Sequence, residues 1–295
     1  SVEKITKDFG TDPLEFDLDK WNKYSVTVKE DKMMDYFFAP ITFYKNLWLG
    51  IGGYDTLFRR SREDSDLVQR CLHKGIKLKQ TFGAIVYHFT CTSSRGKDWF
   101  KNDNIEAQNR VKMQNQADQI ELKRFIRKWG GFNHGTEKIN KYDIDLEIQN
   151  SSKLPPHIIS NIEPLFSRVW IDDAAVSKII NDDVSKEHEL ANKLLNFTDK
   201  QWEKTSKYHN LDNYSEIFLL QDDHILEYDV KLTIDGNTLE NSDFEVINQI
   251  HKIIENYDRG HYEYGNIKLS IYKKNTINNT ICTNPDFDMN LLIIE

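Results

Sequence analysis

Apolar residues in this chain change their spacing several times, and each change marks an element. Residues 11–35 are rich in charge, and Leu14, Phe16 and Trp21 after Asp12-Pro13 predict a surface helix and loop. Tyr36-Phe37-Phe38-Ala39-Pro40-Ile41-Thr42-Phe43 has the aromatic content and length of a buried strand ended by a proline. Residues 44–49 read as a short helix, and Gly50-Ile51-Gly52-Gly53-Tyr54-Asp55 as a tight backbone turn. Leu67, Val68, Cys71 and Leu72 line one face of a helix over 64–72, with Gly75 placed for a left-handed C-cap. Residues 76–78 and 84–87 are short strand candidates, the second ending at His88. A long amphipathic helix over 101–129 carries Ile105, Val111, Ala117, Ile120, Phe125 and Trp129 among its apolar positions and stops at Gly130-Gly131.

That glycine pair suggests a division into residues 1–135 and 136–295. The second part predicts strands at 144–148 and 167–171, a helical stretch to about Tyr208, and strands near 216–220 and 228–234. A helix over 244–257 and strands near 264–272 and 290–294 close the chain. Mixed strands and helices with short connections predict a mixed α/β or α+β domain.

Composition narrows the class. With 39 % apolar and 29 % charged residues, the chain has both a core and a solvated surface. A net charge of −8 and the lack of a dense basic run argue against nucleic acid as the partner. Cys71, Cys91 and Cys282 have neither zinc spacing nor a disulfide framework, which predicts a reducing, cytoplasmic location. No 18-residue apolar run predicts a membrane span, and the first residues carry no apolar signal segment.

Candidate chemistry concentrates in Gly52-Gly53-Tyr54-Asp55, Glu63-Asp64-Ser65-Asp66, His88 and Ser93-Ser94-Arg95-Gly96. Taken singly these are a turn, helix-capping acids, a lone histidine and a polar loop. Their order and spacing resemble the second half of the family 2 glycosyltransferases and related GT-A enzymes. There, an aromatic strand and short helix lead to a Gly-Gly-aromatic-acid turn, then an acidic segment opens a helix that ends in Gly, and a strand ends in His. The match runs from Phe38 through Gly96. The fold class expected is therefore α/β: a partial GT-A-like domain, the acceptor-side half, followed by the second mixed domain.

The resemblance implies an inverting transfer with Asp64 as the base that takes the acceptor hydroxyl proton. Glu63 and Asp66 become neighbours that orient it or touch the acceptor, while Gly52 and Gly53 let backbone approach a sugar and Asp55 accepts from a sugar hydroxyl. His88 takes the place of a ligand to a divalent cation (Mn or Mg), and Ser94 and Arg95 suit a diphosphate. The partners implied are a nucleotide-sugar donor and a glycan, lipid or protein acceptor.

The family's nucleotide-binding half, with an Asp-x-Asp closing an apolar strand, has no counterpart before residue 36. The expectation is a downstream piece of a larger or split enzyme, inactive alone and partnered by a separate N-terminal half. The alternative is a non-catalytic carbohydrate-binding or scaffolding protein derived from a glycosyltransferase. A paired-carboxylate hydrolase needs two acids about 5–10 Å apart across a sugar, which adjacent Glu63 and Asp64 do not obviously supply.

Overall fold

The computed structural model describes residues 7–10, 13–35, 40–55, 57–89, 105–132, 137–195, 216–220 and 228–277. Among them the chain is mixed α/β, with eight α-helices, a six-stranded sheet and a two-stranded ribbon. No helix among these residues is long and apolar enough to cross a membrane.

The first part is built from short elements. Helix α1 (Leu18–Ser25) starts later than Asp12-Pro13 suggests, because the Asp17 carboxylate accepts from the Lys20 amide and caps it there. Strand β1 (Met33–Met34) pairs antiparallel with β2 (Gln80–Thr81). The strands expected at 76–78 and 84–87 do not form. Ile76 and Leu78 instead pack as irregular chain against Ile51, Leu67 and Cys71. Tyr87 joins Phe9, Phe16, Trp21 and Phe89 in an aromatic cluster, where its hydroxyl donates to Gly10 O. The expected strand over 36–43 lies partly outside the described residues, and Pro40–Phe43 are not in a strand. Helices α2 (Lys45–Ile51) and α3 (Glu63–His73) follow where periodicity places them.

Helix α4 (Ile105–Trp129) joins the two parts. Ala117, Ile120, Phe125 and Trp129 close a core with Leu57 and Phe58, while Ile126 packs against the core of the large sheet. Arg127 donates from Nε and Nη2 to Glu163 and from Nη1 to Glu187, at 2.7 to 3.0 Å. Both carboxylates belong to the second part, so the helix is held there by charge as well as by packing.

The large sheet has the order β5 (Glu216–Leu219), β4 (Arg168–Ile171), β3 (Ile144–Gln149), β6 (Val230–Asp235), β8 (Ile267–Ile271), β7 (Gly260–Tyr264). The first four are parallel and the last two antiparallel. Strand β3 lies between β4 and β6; Ile144, Leu146 and Ile148 enter the core from one face, while Asp145 and Glu147 on the other face pair with Arg168 and Lys231 of the neighbouring strands. Helices α5 (Pro156–Ile162) and α6 (Ala174–Leu195) carry the crossovers from β3 to β4 and from β4 to β5. The helix expected over 244–257 divides at Gln249 into α7 (Asn241–Asn248) and α8 (Ile250–Asn256). The strand expected at 264–272 is half of a hairpin turned at Gly265, whose φ of +56° suits a residue without Cβ. The last expected strand, near 290–294, lies outside the described residues.

Candidate functional site

The turn after α2 is made by two consecutive left-handed residues, Gly52 (φ +86°) and Gly53 (φ +68°). The Gly53 amide donates to Trp48 O at 3.0 Å, closing the helix, and a Cβ on Gly53 would meet the Trp48 indole at 3.3 Å. The indole therefore lies directly against the glycine backbone. The Tyr54 ring stands edge-on to Trp48, with centroids 5.1 Å apart, and remains exposed. Its hydroxyl donates to Asp64 Oδ1 at 2.8 Å. Partial burial and the Asp64 carboxylate push the phenol up to about 12, so it stays a donor at neutral pH.

Asp64 is half-buried in the first turn of α3, where the helix dipole favours an anion. The chain enters this helix through Arg62, a non-glycine residue at φ +72°. The loop before it is pinned from α4. The fully buried carboxylate of Glu121 accepts from the amides of Arg59, Arg60 and Ser61 and from the Ser61 hydroxyl, at 2.5 to 3.1 Å for the shortest of each. A strained entry into α3 is thus sustained by a charge on another helix.

Beneath the surface is an ionic cluster. Lys128 Nζ lies 2.7 Å from Asp55 Oδ2 and 2.5 Å from Asp66 Oδ1. Arg70 Nε donates to Asp66 Oδ2 at 2.8 Å, and Trp129 Nε1 donates to Asp66 Oδ1 at 3.0 Å. The other two guanidinium nitrogens reach Ile51 O and Gly53 O, each at 2.6 Å. Arg70 thereby ties α3 to the glycine turn.

Asp55, expected to accept from a sugar hydroxyl, and Asp66, expected to orient Asp64 or touch the acceptor, are both fully buried and directed at protein donors. Their role here is to hold the turn, α3 and α4 together. Glu63 lies beside Asp64, half-buried, with Oε2 enclosed and without a hydrogen-bond partner among the described residues. Burial, with help from Asp64 and Glu121, raises its affinity for a proton.

His88 is exposed, and among the described residues no group of three His, Cys, Asp or Glu side chains is arranged to hold a metal. The divalent cation implied by the resemblance does not fit the described residues by themselves. Ser94 and Arg95 lie outside them. The structure brings together Gly52, Gly53, Glu63 and Asp64, with Trp48 and Tyr54 beside them. Sequence reasoning missed Arg70, Glu121 and Lys128 as supports. The spacing of Asp66 and Arg70 by four residues was a readable helical ion pair, whereas the reach of α4 carried no local signal.

In the second part, strand order reverses between β3 and β6, where α/β sheets commonly bind ligands. Here the chain fills that crevice itself. The Gly236 amide donates to Gln149 O, and a Cβ on Gly236 would run into Asn150 O. Asp172 accepts from the amides of Asn150 and Ser151, and Asp235 from the Asn150 amide group.

These elements define a mixed α/β protein with a surface acid beside a double-glycine turn. No protein family, curated protein or solved structure matches the chain.

Proposed function

We propose that residues 1–135 are the acceptor-side half of a nucleotide-sugar glycosyltransferase and that Asp64 is its base. One observation carries the reading: of Asp55, Asp64 and Asp66, Asp64 alone is not fully buried, and it borders an exposed aromatic ring and a glycine turn. Tyr54 holds Oδ1, which leaves Oδ2 for an acceptor hydroxyl. In the proposed step the acceptor oxygen bonds to the anomeric carbon and its proton passes to Asp64. The bond from that carbon to the nucleoside diphosphate breaks, and the diphosphate leaves with the electron pair. The nucleotide contacts would come from a donor half outside the resemblance, and a Mn or Mg held there, with His88 completing its coordination, would offset the diphosphate charge. The α3 helix holds the base on a rigid element, which favours a reproducible attack geometry.

A second reading, non-catalytic carbohydrate binding, draws on the exposed Tyr54 ring, which offers a sugar an apolar face with or without chemistry. The two are separated in the intact polypeptide that carries this chain, supplied with nucleotide sugars and simple glycan acceptors. Asp64→Asn is expected to lower turnover by about 10²-fold or more while acceptor binding stays within a few-fold. Unchanged turnover removes Asp64 as the base. Glycan binding without turnover in either form supports the binding role instead.

A further inference from the structure

The end of the β7–β8 hairpin carries a second feature, remote in sequence from Asp64. The pairing Gly260 with Ile271 is the last of the ladder. Beyond it the two chains part, with Asp258 and Arg259 on one side and Tyr272 and Lys273 on the other. The backbone there is fixed, because the amides of Tyr272 and Lys273 both donate to Asp229 O, at 2.9 and 3.0 Å. Between the parted chains lies an open cavity of about 760 Å3, lined by Asp258, Arg259, Tyr272, Lys273, Lys274 and Asn275.

Three cations thus face one carboxylate in the lining, within a chain whose net charge is −8. Among the described residues their pairing is partial. Arg259 has no ion-pair or hydrogen-bond partner among the described residues. Lys274 donates to a carbonyl, Glu255 O, at 3.3 Å. Lys273 pairs loosely with Asp229 at 3.9 Å, a carboxylate that also accepts from the Asn275 amide at 2.7 Å. Guanidinium and ammonium side chains in the lining of one concave site favour an anion, most strongly one with two or three oxygens.

The cavity is larger than an inorganic anion needs, and it has an apolar wall. Tyr272 is exposed to 42 % and is steadied edge-on by Tyr228 and His261, at 5.3 and 5.8 Å. An aromatic ring so held offers a flat surface to the C–H face of a sugar, and its hydroxyl shares a hydrogen bond with that of Tyr228. A volume between about 300 and 1,000 Å3 is usual for small-molecule sites.

We propose that this cavity binds sugars carrying an anionic group, phosphate or carboxylate, with Arg259 and Lys273 on the anion and Tyr272 on the ring. This does not rest on the transferase reading. Calorimetric titration of the full chain at low ionic strength tests it, with glucose 6-phosphate, glucuronate, glucose and inorganic phosphate as probes. At least one of the two anionic sugars is expected to bind saturably, at least tenfold more tightly than glucose and than phosphate, and which one binds identifies the anion. Arg259→Gln combined with Lys273→Gln is expected to weaken that binding at least tenfold, and Tyr272→Leu to weaken it several-fold. All three side chains are exposed, so circular dichroism should show the variants folded. Asp64→Asn should leave the binding unchanged. No saturable binding of either anionic sugar, binding untouched by the charge variants, phosphate binding as tightly as the sugars, or loss of binding in Asp64→Asn would each overturn the proposal.

Discussion

Lys128→Met tests whether the buried ionic cluster organises the site. The ammonium lies within 2.7 Å of both Asp55 and Asp66, and its side chain is 2 % exposed. Methionine keeps an unbranched stem, so contact with the rings of Phe58 and Trp129 is largely preserved and the loss is electrostatic. Removing one member of a buried pair costs about 3–5 kcal/mol, because the remaining charge is left uncompensated. Here two carboxylates lose a cation, but each keeps a donor: Asp66 retains Arg70 and Trp129, and Asp55 retains the Leu57 amide at 2.9 Å. The expected loss is therefore near the lower bound, about 3 kcal/mol. At about 2–4 °C per kcal/mol for a large domain, that lowers Tm by about 6–12 °C. Urea unfolding followed by tryptophan fluorescence gives the free energy. The double variant Asp55→Asn/Lys128→Met should recover part of the deficit, with a coupling of at least about 1 kcal/mol. A loss below about 1 kcal/mol, the value of an exposed pair, would refute the reasoning.

Three further outcomes follow from the same geometry. Gly53→Ala should destabilise by about 1–2 kcal/mol, because a Cβ is strained at φ +68° and presses on the Trp48 indole, and thermal melts measure it; an unchanged Tm would mean the turn can rearrange. Glu121→Gln should cost about 2–3 kcal/mol, since an amide N–H2 replaces an oxygen that accepts from backbone amides. Trypsin should then cut faster after Arg59 and Arg60, and an unaltered digestion rate would count against the pinning of that loop. His251 is fully enclosed, with Nδ1 accepting from the Tyr142 amide and Nε2 donating to Leu165 O. Burial, with nearby Lys141, holds its imidazole down at about 3. The unfolded chain takes up that proton near its ordinary value of about 6.5 and the folded chain only near 3, so stability falls as pH drops through this window, by up to about 1.4 kcal/mol per unit. His251→Gln should flatten the dependence, and an equally steep one would assign it to other groups.

Much of the secondary structure was legible in the sequence. Helices α3 and α4 have apolar faces at helical spacing, and β3 and β6 alternate apolar and polar residues over a strand's length. Short apolar runs were ambiguous: 76–78 has the residues of a strand, but among the described residues no strand pairs with it, and the run packs as irregular chain instead. The hairpin at Gly265 was hidden in one apolar stretch because a two-residue turn leaves alternation almost unbroken. At the candidate site the glycine turn and the opening of α3 by acids could be read directly. The division of labour among those acids could not.

By itself, the sequence determined the apolar faces of α3 and α4 and where those two helices end, because these depend on spacing and on residues a few places away. Only the tertiary structure decided what each charge does. Asp55, Asp64 and Asp66 are the same side chain within twelve residues, yet two are enclosed by Lys128, Arg70 and Trp129 and one reaches the surface beside Tyr54. A carboxylate's role is set by the partners that surround it, and Lys128 stands 73 positions from Asp55. The packing of α4 across the turn brought them together.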